Sequence, residues 1–318
     1  MKILITGGAG FIGSNLSKKL LEDGDEIVCL DNFFTSSEEN IKELLKDKKF
    51  TFIKHDIIEA LPKSLLSLKI DQIYHLASPA SPRWYQKEPI YTLRTNFEGT
   101  LNVLQFILNC KNKPKILFSS TSEVYGDPEV SPQSEKYMGS VNPHGIRSCY
   151  DEGKRVAESL CMNFLREYKL QIKIIRIFNT YGPNMELDDG RVVSNFIGQT
   201  LLGKSITIYG EGDQTRSFQY VDDLVEGMIS YMALSEDFPG PVNIGNPNEI
   251  TILELAKIIK KLTNSNSKII FERLPQDDPK KRCPDISLAK NKFNFSPRVD
   301  LKTGLIKTIE YFRERITH

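Results

Sequence analysis

Histidine, cysteine and tryptophan are scarce in this chain of 318 residues, which contains four, five and one of them. The cysteines are far apart and odd in number, and no two are spaced as CxxC. A disulfide framework or a zinc site is therefore not expected. The histidines do not stand at metal-ligand spacing either. We predict no metal site and a reducing compartment, the cytoplasm.

Excess charge and long apolar runs are also missing. Lys and Arg number 42 against 41 Asp and Glu, so the net charge of +1 provides no bulk attraction to nucleic acid or to an anionic membrane. No apolar run approaches the roughly 18 residues that span a bilayer, and the first residues lack a signal-peptide pattern. We therefore expect a small-molecule partner, with no nucleic acid and no membrane.

Short apolar runs alternate with amphipathic stretches in the first part of the chain. Strands are predicted at 2–6, 26–30, 50–55, 72–77, 115–120 and 172–178, and helices at 12–21, 41–46, 90–109 and 150–168. This alternation predicts an α/β fold with a doubly wound, parallel Rossmann-type sheet. We assign residues 1–180 to this domain.

The alternation becomes less regular in residues 181–318, which we predict to form mainly a smaller α/β substrate-binding lobe. Segments near 217–245 are expected to rejoin the Rossmann domain. Helices are predicted at 192–202, 222–233, 252–262 and 301–315, and strands at 206–209, 242–244 and 268–272.

A glycine-rich turn follows the first predicted strand directly. Gly7, Gly10 and Gly13 form a GxxGxxG that runs into a helix. The first glycine permits a tight turn, the second lets the backbone approach a pyrophosphate, and the third lets the helix pack against the strand. The free N–H groups of the helix N-terminus suit the same anion. This pattern predicts a dinucleotide site.

Acidic residues end the second and third predicted strands. Asp31 is positioned to accept hydrogen bonds from ribose hydroxyls and would repel a 2′-phosphate. Neither Asn32 nor Phe33 is basic, so NAD is favoured over NADP as cofactor. Asp56 has two open interpretations, a contact with the adenine amino group or a solvated turn.

A YxxxK pair begins the helix after the fifth predicted strand. The spacing places Tyr150 and Lys154 on one helix face. A cation beside a phenol lowers its pKa, so we expect Lys154 to tune Tyr150 as a general base. Thr121, Ser122 and Glu123 follow the strand, where ligands bind in parallel sheets. Thr121 is the expected partner of the reacting hydroxyl.

These motifs resemble the extended short-chain dehydrogenases/reductases that act on nucleotide sugars, and among them the UDP-glucuronate decarboxylases. The most discriminating segments are HLASPASP at 75–82 and STSEVYGDP at 120–128. The resemblance covers nearly the whole chain. Its matching stretches are 6–14, 31–34, 75–82, 119–128, 149–157, 176–183, 189–197, 214–221 and 276–286.

The resemblance implies NAD-dependent decarboxylation of UDP-glucuronate to UDP-xylose. Oxidation at C4 makes a β-keto acid, CO2 leaves, and the ketone is reduced again. Ser122 stands where the related dehydratases carry an Asp that protonates the departing hydroxyl. Glu123 is expected to be catalytic, either as an acid/base near C5 or by shaping the surroundings of the carboxylate.

The resemblance also implies further contacts. Arg216 and Arg282 are candidates for the pyrophosphate, and Arg282 alternatively for the sugar carboxylate. Arg94, where the family usually has Lys, is expected to contact the carboxylate. The other substrate residues implied are Asn102, Asn179, Arg191, Val192 and Tyr209. The other cofactor residues implied are Phe11, Ile12, Asn32, Phe34, Thr35, Ile57, Leu76, Ala77 and Thr95.

A homodimer through helices 90–109 and 150–168 is implied as well. Apolar residues in these helices extend beyond the single stripe that packing against the sheet requires. They are Leu93, Phe97, Leu101, Leu104 and Leu108 in one helix, and Val156, Ala157, Leu160, Phe164 and Leu165 in the other. Burial within the monomer is the alternative.

Two other functions remain open. One is a UDP-sugar 4-epimerase or a nucleotide-sugar 4,6-dehydratase on the same fold. The other is a non-catalytic protein that senses NAD.

Overall fold

The computed structural model describes residues 1–273 and 281–317. Residues 276–280 of the predicted motif at 276–286 lie outside the described residues. In the described part, seven parallel strands form the main sheet in the order β11-β6-β5-β4-β1-β2-β3. The strands are β1 (Lys2–Thr6), β2 (Glu26–Asp31), β3 (Phe50–Lys54), β4 (Gln72–His75), β5 (Lys115–Thr121), β6 (Ile172–Ile177) and β11 (Val242–Ile244). The predicted α/β fold with a doubly wound sheet is confirmed.

Helices cover both faces of this sheet. They are α1 (Phe11–Glu22), α4 (Thr100–Asn109), α5 (Ser148–Tyr168) and α7 (Val221–Ala233). Ile3 and Ile5 of β1 pack into one apolar core with α1 and α7, whereas Leu4 packs into a second core with α4 and α5. Successive strand residues point to opposite faces, so a strand covered on both sides is apolar throughout. Among the described helices, none is long and apolar enough to cross a membrane.

The smaller lobe lies at the carboxyl end of the sheet. Its helices are α6 (Val192–Leu201), α8 (Ile252–Leu262), α9 (Ser287–Phe293) and α10 (Leu301–Thr317). Its short strands are β7 (Thr180–Tyr181), β8 (Ile206–Tyr209), β9 (Thr215–Ser217), β10 (Gln219–Tyr220), β12 (Glu249–Thr251), β13 (Ile269–Glu272) and β14 (Lys281–Arg282). They pair as β10-β7, β12-β9-β14 and β13-β8.

Two predicted helices are wrong in detail. Residues 41–46 form no α-helix, and this region has only 3-10 turns at Glu38–Asn40 and Leu44–Lys46. Ile41 is buried but Leu45 is exposed, so the segment has too little apolar packing to stabilise a short helix. The predicted helix 90–109 is divided into α3 (Pro89–Arg94), a π turn (Thr95–Gly99) and α4.

Two helices of the structure were not predicted from the sequence. They are α2 (Pro82–Lys87) and α9. The proline-rich segment before α2 is typical of a loop, but Pro82 occupies the first turn of the helix, where its missing N–H costs nothing. This helix matters because it forms one wall of the site.

Candidate active site

A cavity of about 550 Å³ opens where the main sheet meets the smaller lobe. Strands β1, β2, β4, β5 and β6 all direct their carboxyl ends, or the residues that follow them, toward it. All predicted cofactor and catalytic residues line this cavity, and so do the predicted substrate residues except Arg94 and Asn102. The parallel register explains why segments far apart in the chain meet here.

The glycine turn forms a cradle that a larger residue would fill. Gly7 has a φ of +71°, and a Cβ there would lie 2.7 Å from the backbone nitrogen of Ala77. A Cβ on Gly13 would collide with the carbonyl oxygen of Gly7. Gly10 caps the N-terminus of α1, and residues 10–13 face the cavity. The turn therefore offers a close backbone approach and a helix N-terminus to a pyrophosphate.

The Asp31 carboxylate lies at the end of β2, where a ribose of the dinucleotide is expected. It is buried and accepts hydrogen bonds from the backbone N–H groups of Ala9 and Phe33, at 3.0 and 2.9 Å. The hydroxyl of Ser36 donates a third, at 2.9 Å. Burial raises the pKa of Asp31, and these donors lower it in part. They also fix the carboxylate at the cavity wall.

Asp56 belongs to the same wall. The amide of Asn32 and the hydroxyl of Tyr91 donate to its Oδ2, at 2.9 and 2.6 Å, and the N–H of Ile58 donates to its Oδ1. The carboxylate is therefore tied into the cavity rather than free in a solvated turn. A contact with adenine stays a prediction.

Tyr150 lies buried at the start of α5. Its ring stacks on Tyr85 of α2, with centroids 5.1 Å apart and planes 7° apart. The Thr121 side chain hydrogen-bonds to the phenol and also accepts the N–H of Glu123. Burial raises the pKa of Tyr150, and the hydrogen bond to Thr121 lowers it only in part. The geometry places a phenol and a hydroxyl side by side, as a reacting alcohol requires.

Lys154 lies buried one helical turn after Tyr150 on α5. Its Nζ donates to the carbonyl oxygen of Ser119 at 2.8 Å and lies 5.9 Å from the centroid of the Tyr150 ring. Burial lowers the pKa of Lys154 to about 7, so its charge is only partial at neutral pH. Burial thus acts on the pKa values of both groups, and the tuning of Tyr150 by Lys154 stays a prediction.

Glu123 is paired with two arginines. Nη1 of Arg282 donates to its Oε1 at 2.6 Å and to the Ser122 hydroxyl at 3.0 Å, and Arg147 binds its Oε2. Burial alone would raise the pKa of Glu123, but Arg282 and Arg147 lower it to about 2. A carboxylate with so low a pKa is a poor proton donor. Of the two expected roles, these ion pairs favour shaping the surroundings of a sugar carboxylate over acid/base catalysis, and both roles stay predictions.

Two cavity residues were missed by the sequence reasoning. Arg147 stands three residues before Tyr150, a spacing that places both on one helix face and could have identified it. Tyr85 follows the end of β4, and only the unpredicted helix α2 turns it toward Tyr150. Its hydroxyl is buried and has no hydrogen-bond partner among the described residues.

Two predicted substrate residues are corrected. Arg94 lies on the exposed side of α3, outside the cavity, and its guanidinium forms an ion pair with Glu98 one turn later, at 2.8 Å. The amide of Asn102 donates to the carbonyl oxygens of Ile57 and Ile58, at 2.9 and 3.0 Å. Asn102 therefore supports the loop after β3 rather than a ligand.

The remaining predicted substrate residues lie on the lobe side of the cavity. Arg216 and Arg282 are direct partners in the parallel pairing of β9 with β14. Arg191 is oriented by Asp189, whose Oδ2 accepts from its Nε at 2.6 Å. Asn179, Val192 and Tyr209 complete the set. Three arginines thus line the cavity, and the guanidinium group of Arg191 lies 5.5 Å from the centroid of the Phe11 ring, beside the glycine turn.

Comparisons with known proteins agree with this geometry. The family model described as GDP-mannose 4,6 dehydratase matches residues 4–308. UDP-glucuronic acid decarboxylase 1 of Xenopus tropicalis is 51% identical over 317 residues, 100% of this chain and 73% of the relative. The Arabidopsis thaliana protein of that name is 51% identical over 316 residues, 99% of this chain and 71% of the relative.

A solved structure is similar over nearly the whole length. UDP-glucuronic acid 4-epimerase from Bacillus cereus, in complex with UDP-glucuronic acid and NAD, has a TM-score of 0.89 and 31% identity. The match covers 99% of this chain and 100% of the epimerase.

The ion pairs of Glu123 predict a pH-dependent contribution to stability. A folded-state pKa of about 2, below the ordinary 4.5, means that this contribution is complete above pH 4.5 and is lost as the pH falls toward 2. Glu123→Gln should therefore lower the free energy of unfolding most at neutral pH, and the difference from wild type should shrink in acid. Urea unfolding at several pH values measures this. A difference that does not change with pH would contradict the assignment.

Proposed function

Since the chain belongs to the GDP-mannose 4,6-dehydratase family of extended short-chain dehydrogenases/reductases, we propose that it decarboxylates UDP-glucuronate to UDP-xylose with NAD as cofactor. The observation that carries the proposal lies beside Tyr150. Two buried guanidinium groups, Arg147 and Arg282, share one ionised carboxylate, Glu123. This arrangement leaves positive charge for the carboxylate of a sugar acid.

The residues around the glycine turn fit NAD. The cradle at Gly7 and Gly13 suits the pyrophosphate, and Asp31 suits an unphosphorylated ribose. Lys154 and Thr95 line the same cavity. Bound there, NAD would supply an acceptor and then a donor for the C4 hydride, so the reaction would have no net redox change.

Tyr150 and Thr121 act on the C4 oxygen. Tyr150 accepts the proton of the C4 hydroxyl, and Thr121 orients that hydroxyl. The resulting ketone lies β to the carboxylate, so the electron pair left by departing CO2 moves onto the C4 oxygen. Hydrogen bonds from Tyr150 and Thr121 stabilise that enolate. A proton from solvent water then adds to C5, and Tyr150 returns its own proton to the C4 oxygen when C4 is reduced.

The phenol must be ionised to accept a proton, and burial raises its pKa. Lys154, whose charge is partial at neutral pH, lies near the ring, and the positive charge of the nicotinamide of bound NAD would add to its effect. Glu123 holds Arg147 and Arg282 in place at the sugar-acid end of the cavity, and Arg216 and Arg191, which also line the cavity, suit the diphosphate and the nucleoside.

The alternatives on this fold are less well supported. The Bacillus cereus epimerase is 31% identical, against 51% for the decarboxylases. Ser122 is bonded to Arg282 and lacks the acidic proton that elimination of water requires. A dinucleotide sensor has no need of a buried phenol paired with a hydroxyl.

The test is mass analysis of what UDP-glucuronate becomes when purified protein and NAD are present. We expect CO2 and UDP-xylose. UDP-galacturonate without CO2 would show an epimerase, and NAD binding without turnover would favour a sensor.

Tyr150→Phe should lower kcat about 10²- to 10⁴-fold, the usual contribution of a general base, while UDP binding changes little. Tyr168→Phe is the matched control because that side chain is 42% exposed at the far end of α5. Turnover by the Tyr150 variant at the wild-type rate would remove the assignment.

We further propose a cytoplasmic homodimer. Four large apolar side chains on α3, the π turn and α5 are exposed: Ile90, Leu93, Phe97 and Val156. Leu104 and Ala157, which we had assigned to the same interface, are instead buried inside the monomer. The exposed set supports an interface between copies of these helices. All five cysteines are free thiols and four are buried, which suits a reducing compartment.

Phe97→Glu should convert the dimer to a monomer because it places a charge within the apolar face. Light scattering coupled to size-exclusion chromatography measures the mass. Ile270→Glu, at a comparably exposed position on β13, is the control and should leave the mass unchanged. A dimer that persists in the Phe97 variant would contradict this interface.

A further inference from the structure

Asp151 is a buried carboxyl for which the proposed reaction provides no task. It follows Tyr150 on α5 and is 7% exposed, and it does not line the cavity of the described structure. Its Oδ1 has no hydrogen-bond partner among the described residues. A charged oxygen buried without a donor is costly, so the site favours a carboxyl that can be neutral.

The Asp151 carboxyl lies near the cluster formed by Arg147, Arg282 and Glu123. Arg147 stands one helical turn earlier, on the same face of α5. Glu123 and Arg282, which approach from β5 and β14, also act electrostatically on Asp151. Arg147 and Arg282 contribute two positive charges and Glu123 one negative charge. Within this set of four groups, the net charge is zero when Asp151 is ionised and positive when Asp151 is protonated.

Burial raises the pKa of Asp151 first, and the charge of Glu123 raises it further. Arg147 and Arg282 lower it in part, and the result is about 7. Both forms are thus populated near neutral pH in the free protein. Another negative charge beside Arg147 and Arg282 would favour the protonated form of Asp151.

We propose that Asp151 is the charge-balancing carboxyl of the sugar-acid subsite, taking up a proton when a substrate carboxylate enters beside Arg147 and Arg282 and releasing it when that charge is gone. The inference rests on the proposed function, because a sugar acid brings the required charge. Asp151 is a positioning residue: it acts through the arginines and does not touch the substrate.

The other charged groups near α5 are distinguishable from Asp151. Those facing its helix are Glu152 paired with Arg155, Glu158 paired with Arg176 of β6, Arg94 paired with Glu98, and the buried Lys154. Tyr85 approaches from α2, and burial raises its pKa above the neutral range. Lys154 also has a pKa of about 7, so the test depends on a substitution at Asp151.

The experiment measures proton uptake on binding. Calorimetric titrations at about pH 8, in buffers of different ionisation enthalpy, compare UDP-glucuronate with UDP-glucose on the NAD-saturated protein. They are carried out in the Tyr150→Phe background, in which turnover about 10²- to 10⁴-fold slower leaves little substrate consumed during a titration. We expect uptake of up to about one proton with UDP-glucuronate and much less with UDP-glucose.

Asp151→Asn keeps the shape of the side chain but cannot ionise, so the uptake specific to UDP-glucuronate should disappear. Glu152→Gln, which removes the neighbouring carboxylate, should retain it. Equal uptake in the Asp151→Asn protein, or equal uptake with UDP-glucose, would overturn the proposal. If Asp151→Asn fails to fold, Asp151→Ser takes its place and should likewise abolish the uptake, and equal uptake with the two sugars overturns the proposal without any variant at Asp151.

Kinetics separate this inference from the proposed function. With Tyr150 intact, KM for UDP-glucuronate should rise above neutral pH with a limiting slope of about tenfold per pH unit, and Asp151→Asn should flatten that rise. If UDP-glucuronate is decarboxylated and the variant keeps the wild-type profile, the role of Asp151 alone fails. If the wild-type protein yields no CO2 from UDP-glucuronate, the proposed function is wrong, and the inference about Asp151 is wrong with it.

Discussion

The ion pairs of Glu123 with Arg147 and Arg282 join three distant parts of the chain at one point. Glu123 follows β5, Arg147 precedes α5, and Arg282 lies in β14 of the smaller lobe. These contacts attach the lobe to the main sheet beside Tyr150, and they determine the charge of the cavity wall. The chemistry proposed for the site, its affinity for a sugar acid and the titration of Asp151 all depend on that balance.

Burial acts on the catalytic groups in opposite directions. It raises the pKa of Tyr150 and lowers that of Lys154, because both charged forms lose water. Both groups are therefore biased toward their neutral forms. Burial would also raise the pKa of Glu123, but the guanidinium groups of Arg282 and Arg147 more than compensate for the lost hydration.

Much of the site follows from strand order. The predicted glycine turn, Asp31, Thr121 and Tyr150 all follow or approach the carboxyl ends of parallel strands, and all line one cavity. Because such strands share one direction, a local pattern at each strand end places its side chains at the common edge. Arg94 and Asn102 were assigned by resemblance alone, and they lie outside this edge or support a loop.

The amino-acid sequence by itself determined the doubly wound sheet, the glycine cradle and the Tyr150–Lys154 pair, because hydrophobic periodicity and short motifs are local. Only the tertiary structure decided the stacking of Tyr85 on Tyr150, the pairing of Arg216 with Arg282 in neighbouring strands, and the ionised state of Glu123. Those features arise from contacts between segments that are far apart in the sequence, and no local spacing predicts such contacts. A pKa, likewise, depends on the water and charges that the fold removes or brings near.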